Sequence, residues 1–261
     1  MGLRRFFKNY IYKKKFDIKV SEAENVVTNQ NILITGANSG IGLALTKRFL
    51  EFDNLVIASY KQNNKNLLKI NNQKLILCEC DQSNIQNTEN LTEYVKENPV
   101  NVIINNAGIW GGDKQNFNNI NYKDFVSASN INAISIIRIC EIVLKYSKNL
   151  NTVVNITSQY GSTDHNTTGR DYIYKGTKSM MNSFSKNLSI DLKRDYGTNV
   201  FSVCPGSVKT KLNPGGVLNS DTVALKIINI LKSDNNLNGK FIDLNKNVLS
   251  WWKKIYFSFS L

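Results

Sequence analysis

A doubly wound α/β fold, one parallel sheet in a three-layer αβα sandwich, is predicted by three features of this 261-residue chain. Short apolar runs rich in Ile and Val recur along it, helical patterns separate them, and small or polar residues follow most of them. This length buries a substantial core and suits one domain with short tails. The chain divides into a basic and polar extension over 1–30, an α/β domain over 31–246 and an aromatic tail over 247–261.

The runs NILIT (31–35), NLVIAS (54–59), KLILC (74–78), VNVIIN (100–105), NTVVNIT (151–157), NVFSVC (199–204) and KFIDL (240–244) are the predicted strands. Their apolar character is continuous rather than alternating, as strands covered on both faces require. Helices are predicted over 41–52, 84–97, 121–148, 172–195 and 220–232. Ligands on such a sheet bind outside the carboxyl ends of the strands, so the residues after each run carry the functional reading.

Charge and cysteine usage narrow the class. The 33 basic and 20 acidic residues leave a formal charge of +13, but Arg4, Arg5, Lys8, Lys13, Lys14 and Lys15 precede the first acid, Asp17. The remaining excess is scattered as on a solvated surface, and no nucleic-acid recognition motif accompanies it. Cys78, Cys80, Cys140 and Cys204 sit in apolar segments, and His165 is the only histidine. Reduced core thiols are expected, with no metal site. No apolar run approaches the roughly 20 residues of a membrane span and no secretory pattern leads the chain, so a cytoplasmic location is expected. Leu3, Phe6, Phe7, Tyr10 and Ile11 form an apolar stripe beside basic residues. Residues 3–15 could touch an anionic membrane peripherally, but packing on the aromatic tail (Trp251, Trp252, Ile255, Tyr256, Phe259) or on a second subunit is the favoured reading.

After the first strand stands TGANSGIG, 35–42. Gly36, Gly40 and Gly42 allow a tight turn and close approach of backbone to a pyrophosphate at a helix amino end. An ordinary strand-helix turn is the alternative, but the setting between strand and helix favours a dinucleotide. The second strand leads to Lys61, with no carboxylate beside it to accept from a ribose 2′-hydroxyl, which favours NADP; the alternative is a solvated surface lysine. Asp81 after the third strand suits an adenine amino group, and Asn106, Ala107 and Gly108 after the fourth let backbone approach a cofactor. Each also fits turn chemistry, yet four such features at four successive strand ends are hard to assign to turns.

Ser158 follows the fifth strand, and DYIYKGTKSMM lies shortly beyond it. On a helix, Tyr172 faces Gly176 whereas Tyr174 faces Lys178, so Tyr174 is the candidate acid/base and Lys178 is expected to lower its pKa from about 10 toward neutrality. Nothing supplies a Ser-His-Asp triad; a serine hydroxyl beside an activated phenol suits proton exchange with a carbonyl or alcohol. Asn132 is either part of that relay or a polar residue opening a helix. Trp110, Gln159, Tyr160 and His165 are candidates for the substrate pocket, with ordinary loop packing as the alternative.

The set TGANSGIG, NNAG, Ser158, YKGTK (174–178) and PGSVKT (205–210) resembles the short-chain dehydrogenase/reductase superfamily over about residues 31–244. The stretches SQYGSTDHNTTGRDYIYKGTKSMMN, PGSVKTKLNPGG and GKFIDLNKNVLSWW are similar to its C-signal factor, sniffer and carbonyl-reductase-like branch. The resemblance implies a Rossmann domain and an NADP(H)-preferring oxidoreductase that interconverts a carbonyl and a secondary alcohol. A dinucleotide-binding signalling or scaffold protein with little turnover is the alternative. Tyr174 would be the general acid/base, Lys178 its partner on the nicotinamide ribose, Ser158 the carbonyl ligand and Asn132 a member of the proton relay. Gly36, Ser39, Gly40, Ile41 and Gly42 would frame the pyrophosphate, and Asn106, Ala107 and Gly108 the adenosine ribose region. Asp81 would hold the adenine, and Pro205, Gly206, Val208 and Thr210 the nicotinamide side. The family also implies a homodimer or homotetramer through its long helices. The branch usually carries a thioether residue where Tyr160 stands and a glycine where Ser135 stands, departures that bear on pocket shape and helix packing.

Overall fold

The computed structural model describes residues 27–232 and 236–251. Seven strands form one sheet: β1 (Asn31–Ile34), β2 (Leu55–Tyr60), β3 (Leu75–Glu79), β4 (Val102–Asn105), β7 (Thr152–Ile156), β8 (Asn199–Cys204) and β9 (Phe241–Asp243). A two-stranded hairpin, β5 (Gln115–Asn116) and β6 (Asn119–Ile120), stands apart. The helices are α1 (Gly40–Glu51), α2 (Ile85–Glu89), α3 (Leu91–Glu97), α4 (Tyr122–Ser129), α5 (Ser135–Tyr146), α6 (Tyr172–Tyr196) and α7 (Ser220–Lys232).

Every pairing in the large sheet is parallel, in the order β3-β2-β1-β4-β7-β8-β9. The order reverses between β1 and β4, and a crevice opens at such a reversal, beyond the carboxyl ends of the two strands. Side chains alternate across a strand, so each run feeds two cores. Ile32 and Ile34 of β1 join Leu45 and Phe49 of α1 and Ile227 of α7 on one face. Leu33 joins Val95 of α3, Ile139 and Val143 of α5 and Leu192 of α6 on the other. All four cysteines are free and buried, as expected.

All seven predicted strands are present, and the helices differ from expectation in two places. The segment expected as one helix over 84–97 is two, which meet at Asn90, whose N–H turns back to the Thr88 carbonyl instead of continuing the i to i−4 ladder. The helix expected over 121–148 begins at Tyr122, behind an Asn121 cap, and passes through a π-helical turn at Asn130–Ile134. Tyr122–Tyr146 is long and apolar enough to cross a membrane by length and composition, although no continuous apolar run suggested it; 56% of its most apolar window is buried inside the protein, as in a core helix.

The hairpin β5/β6 escaped prediction because two residues per strand are too few to show alternation. The stripe within residues 3–15, and Trp252, Ile255, Tyr256 and Phe259 of the tail, lie outside the described residues. Trp251 is described, with its ring centroid 5.8 Å from that of Phe241.

Candidate active site

Backbone geometry at the reversal point builds one end of the site. Gly36 has φ +63°, and a Cβ there would come within 2.9 Å of the Ala107 Cα, so the turns after β1 and β4 touch. Thr35 locks them together: its hydroxyl accepts from the N–H groups of Asn106 at 3.0 Å and Ala107 at 2.9 Å. The Asn106 side chain donates in return to the carbonyls of Thr35 and Gly36. Ser39 caps α1 without a side-chain bond, and the first turn carries no acid, which leaves N–H groups and the positive dipole end for an anion.

A cleft of about 540 Å³ runs from this turn along the strand ends. Of the expected cofactor residues it is lined by Gly36, Ser39, Gly40, Ile41, Lys61, Asp81, Asn106, Ala107, Gly108, Tyr174, Lys178, Pro205 and Thr210. Three others do not face it. A Cβ on Gly42 would lie 2.3 Å from the Gly36 carbonyl oxygen, so this glycine serves helix-turn packing. Val208 is buried in a bridge with Leu218, and Gly206, at φ +75°, turns the chain.

Lys61 is not free of acids. Its ammonium is 2.9 Å from Asp81 Oδ2, and Asp81 Oδ1 accepts from the Ser83 N–H and hydroxyl. Burial works upward on Asp81, and the bonds from Lys61 and Ser83 overcome it and hold the carboxyl below its usual range. The two expected ligands of the adenosine end thus satisfy each other.

Tyr174 stands in the first turn of α6, 8% exposed. Its N–H donates to Gln115 Oε1 at 3.0 Å, while Gln115 Nε2 donates to the carbonyls of Trp110 and Gly112. Gln115, a buried residue of the unpredicted hairpin, therefore positions the start of the helix, and only the hairpin itself could have revealed it. Trp110 stacks on Tyr174 with centroids 4.6 Å apart, and Tyr160 meets it edge-on at 6.1 Å. Ser158, which also accepts from the Tyr160 N–H at 3.2 Å, interacts with the Tyr174 hydroxyl.

The ionisation of the pair departs from expectation. Burial pushes the Tyr174 phenol up to about 12; Cys204 adds to the rise and a hydrogen bond with Ser158 opposes it. Burial likewise lowers Lys178 to about 8. The spacing does bring the two together, with Nζ 6.0 Å from the Tyr174 ring centroid, but the ammonium donates to the Ile156 carbonyl at 2.9 Å rather than to the phenol. A dry environment disfavours the charged form of both groups, and that sets the direction of both shifts.

Asn132 does not open a helix. It lies in the π-helical turn, fully buried, donating to the Ile109 carbonyl at 2.9 Å and to Thr177 Oγ1 at 3.0 Å, and accepting from the Ile109 N–H at 2.8 Å. It ties the strand-end loop to the helix of Tyr174, and π-helical turns are frequent at functional sites. Gln159 and His165 are exposed and do not line the cleft. Gly161 packs so tightly on α6 that a Cβ would lie 2.7 Å from the Lys178 carbonyl oxygen. The chain then leaves toward Ser250, and His165 meets the Ser162 hydroxyl at 2.9 Å.

The profile of the family described as short chain dehydrogenase matches residues 30–217. The chain belongs to that family. It is similar to the C-signal protein of Myxococcus xanthus, 30% identical over 164 residues, covering 59% of this chain and 93% of that one. Its fold is similar to carbonyl reductase Sniffer of D. melanogaster, at a TM-score of 0.76 and 25% identity, covering 85% of this chain and all of that one. It is also similar to a carbonyl reductase from chicken fatty liver solved with bound NADPH, at 0.75 and 23%, covering 86% of this chain and all of that one.

This short-chain dehydrogenase is an oxidoreductase, and the residues present fit a dinucleotide: a glycine turn at the strand reversal, an uncapped helix start and a long cleft. Its buried amine has a consequence for stability. The folded Lys178 titrates near 8 against 10.5 for an ordinary lysine, so the unfolded chain binds that proton more tightly, and the penalty on folding fades as pH rises through this window. Wild type should gain stability relative to Lys178→Met between pH 8 and 10.5 in urea unfolding; parallel curves for the two proteins would contradict the burial effect.

Proposed function

We propose that this short-chain dehydrogenase interconverts a carbonyl and a secondary alcohol with NADP(H), using Tyr174 as acid/base, Ser158 as carbonyl ligand, Lys178 as the amine behind them and Asn132 as their tether. The observation that carries the reading is a buried phenol and a buried amine that line the same cleft as the glycine turn, with the Ser158 hydroxyl bonded to that phenol. A bound nicotinamide supplies the hydride to the carbonyl carbon. The chain supplies the rest: the Ser158 and Tyr174 hydroxyls fix the carbonyl oxygen, and Tyr174 gives it a proton. A phenol titrating near 12 is protonated at neutral pH, the form that carbonyl reduction requires.

NADP preference rests on Lys61, the cationic side chain at the adenosine end of the cleft, once a 2′-phosphate competes with Asp81 for its ammonium. A homodimer or homotetramer is supported by apolar side chains exposed along the long helices, Val126, Ile134 and Ile190 among them. A cytoplasmic location is supported by the four free buried thiols. The second reading, a dinucleotide-binding signalling protein, draws on the similarity to C-signal.

NADPH oxidation measured against a panel of aldehydes, ketones and α-diketones separates the two. Tyr174→Phe should lower kcat by about a thousandfold with at least one compound. Equal rates for variant and wild type would favour the signalling reading. Lys61→Asp should weaken NADPH binding by about tenfold or more while leaving NADH within about twofold; an unchanged ratio would remove Lys61 as the selector.

A further inference from the structure

Lys175 follows Tyr174 directly and, in a lysine-rich chain, reads as surface charge. It is instead only 7% exposed. An ammonium has three N–H donors. Those of Lys175 meet Asn166 Oδ1 at 2.9 Å, Thr168 Oγ1 at 3.1 Å and the Gly169 carbonyl. All three acceptors lie on the segment that joins the Ser158 turn to the helix of Tyr174. The same ammonium is 5.3 Å from the ring centroid of Tyr160, whose ring packs against Tyr174.

That segment needs a restraint. Gly169, Arg170 and Asp171 have φ of 60°, 56° and 53°, a left-handed turn that is strained at the two residues with a Cβ. Asp171, in the N-cap position of α6, makes no side-chain cap bond that would hold it. The far end is fixed where the Ser162 hydroxyl donates to the Ser250 carbonyl at 2.6 Å and the Thr163 N–H to that of Trp251 at 3.1 Å. Neither Lys175 nor its acceptors line the cofactor cleft.

We propose that Lys175 is a positioning residue: it clamps the 166–171 turn and the Tyr160 ring onto the first turn of α6, and so fixes the wall that a carbonyl substrate meets beside Tyr174. The kinetic part of the proposal rests on the oxidoreductase reading; the structural part does not. Because neither the lysine nor its acceptors line the cofactor cleft, loss of the clamp should separate substrate affinity from cofactor affinity.

Two variants test it, Lys175→Met and the acceptor variant Asn166→Ala with Thr168→Val. The second keeps the lysine and carries the test should the first not fold. Three quantities are measured: amide hydrogen exchange over 164–171, the NADPH dissociation constant from its fluorescence, and KM for the panel compound that wild type reduces fastest. Both variants should exchange 164–171 about tenfold faster, hold NADPH within about twofold and raise KM about tenfold with a smaller change in kcat. Unchanged exchange over 164–171, an unchanged KM, or NADPH affinity falling in step with KM would overturn the clamp. If wild type reduces no carbonyl compound, the oxidoreductase reading fails, whereas exchange and NADPH binding still decide whether the clamp exists.

Discussion

Exclusion of water from Tyr174 and Lys178 is the constraint on which the site depends. A phenol and an amine one helical turn apart on a wet surface would be two ordinary groups. Buried where α6 meets the end of β7, each is pushed toward its neutral form. The surroundings serve that dryness: Trp110 covers the face of the phenol, Tyr160 its edge, and the Ile156 carbonyl takes the amine. A neutral phenol beside a serine hydroxyl is able to donate a proton.

The sheet positions these groups through a few specific locks. Parallel order places the ends of β1, β4 and β7 side by side, but strand pairing alone does not set the loops beyond them. Thr35 and Asn106 tie the first two turns together, and Asn132 ties the next loop to Thr177 on α6. Gln115 then fixes the amino end of that helix from a hairpin outside the main sheet. Each lock is a polar side chain satisfied by backbone or by a second side chain, as burial demands.

Much of this was legible from residue order. Continuous apolar runs marked all seven strands because covered strands have no polar face to show, and four-residue spacing singled out Tyr174 and Lys178. What escaped depends on contacts between distant segments. Lys61 and Asp81 follow strands that pair in register, Tyr60 beside Glu79, and only that register makes them neighbours. Lys175 looked like one of many surface lysines until the 166–169 acceptors folded over it. Without cofactor the Tyr174 shift runs opposite to the expectation, because spacing reveals a nearby charge but not the loss of water around both groups.

The central claim, a phenol kept protonated by burial, is tested most directly by carbon-13 NMR of protein labelled at the tyrosine ring carbon bearing the hydroxyl, with the Tyr174 resonance assigned by its absence in Tyr174→Phe. Without cofactor, that resonance should stay in its protonated position up to about pH 10.5, above the range where exposed tyrosines begin to ionise. A Tyr174 resonance that titrates near neutral pH in the same sample would contradict the account and restore the lysine as the dominant influence on the phenol.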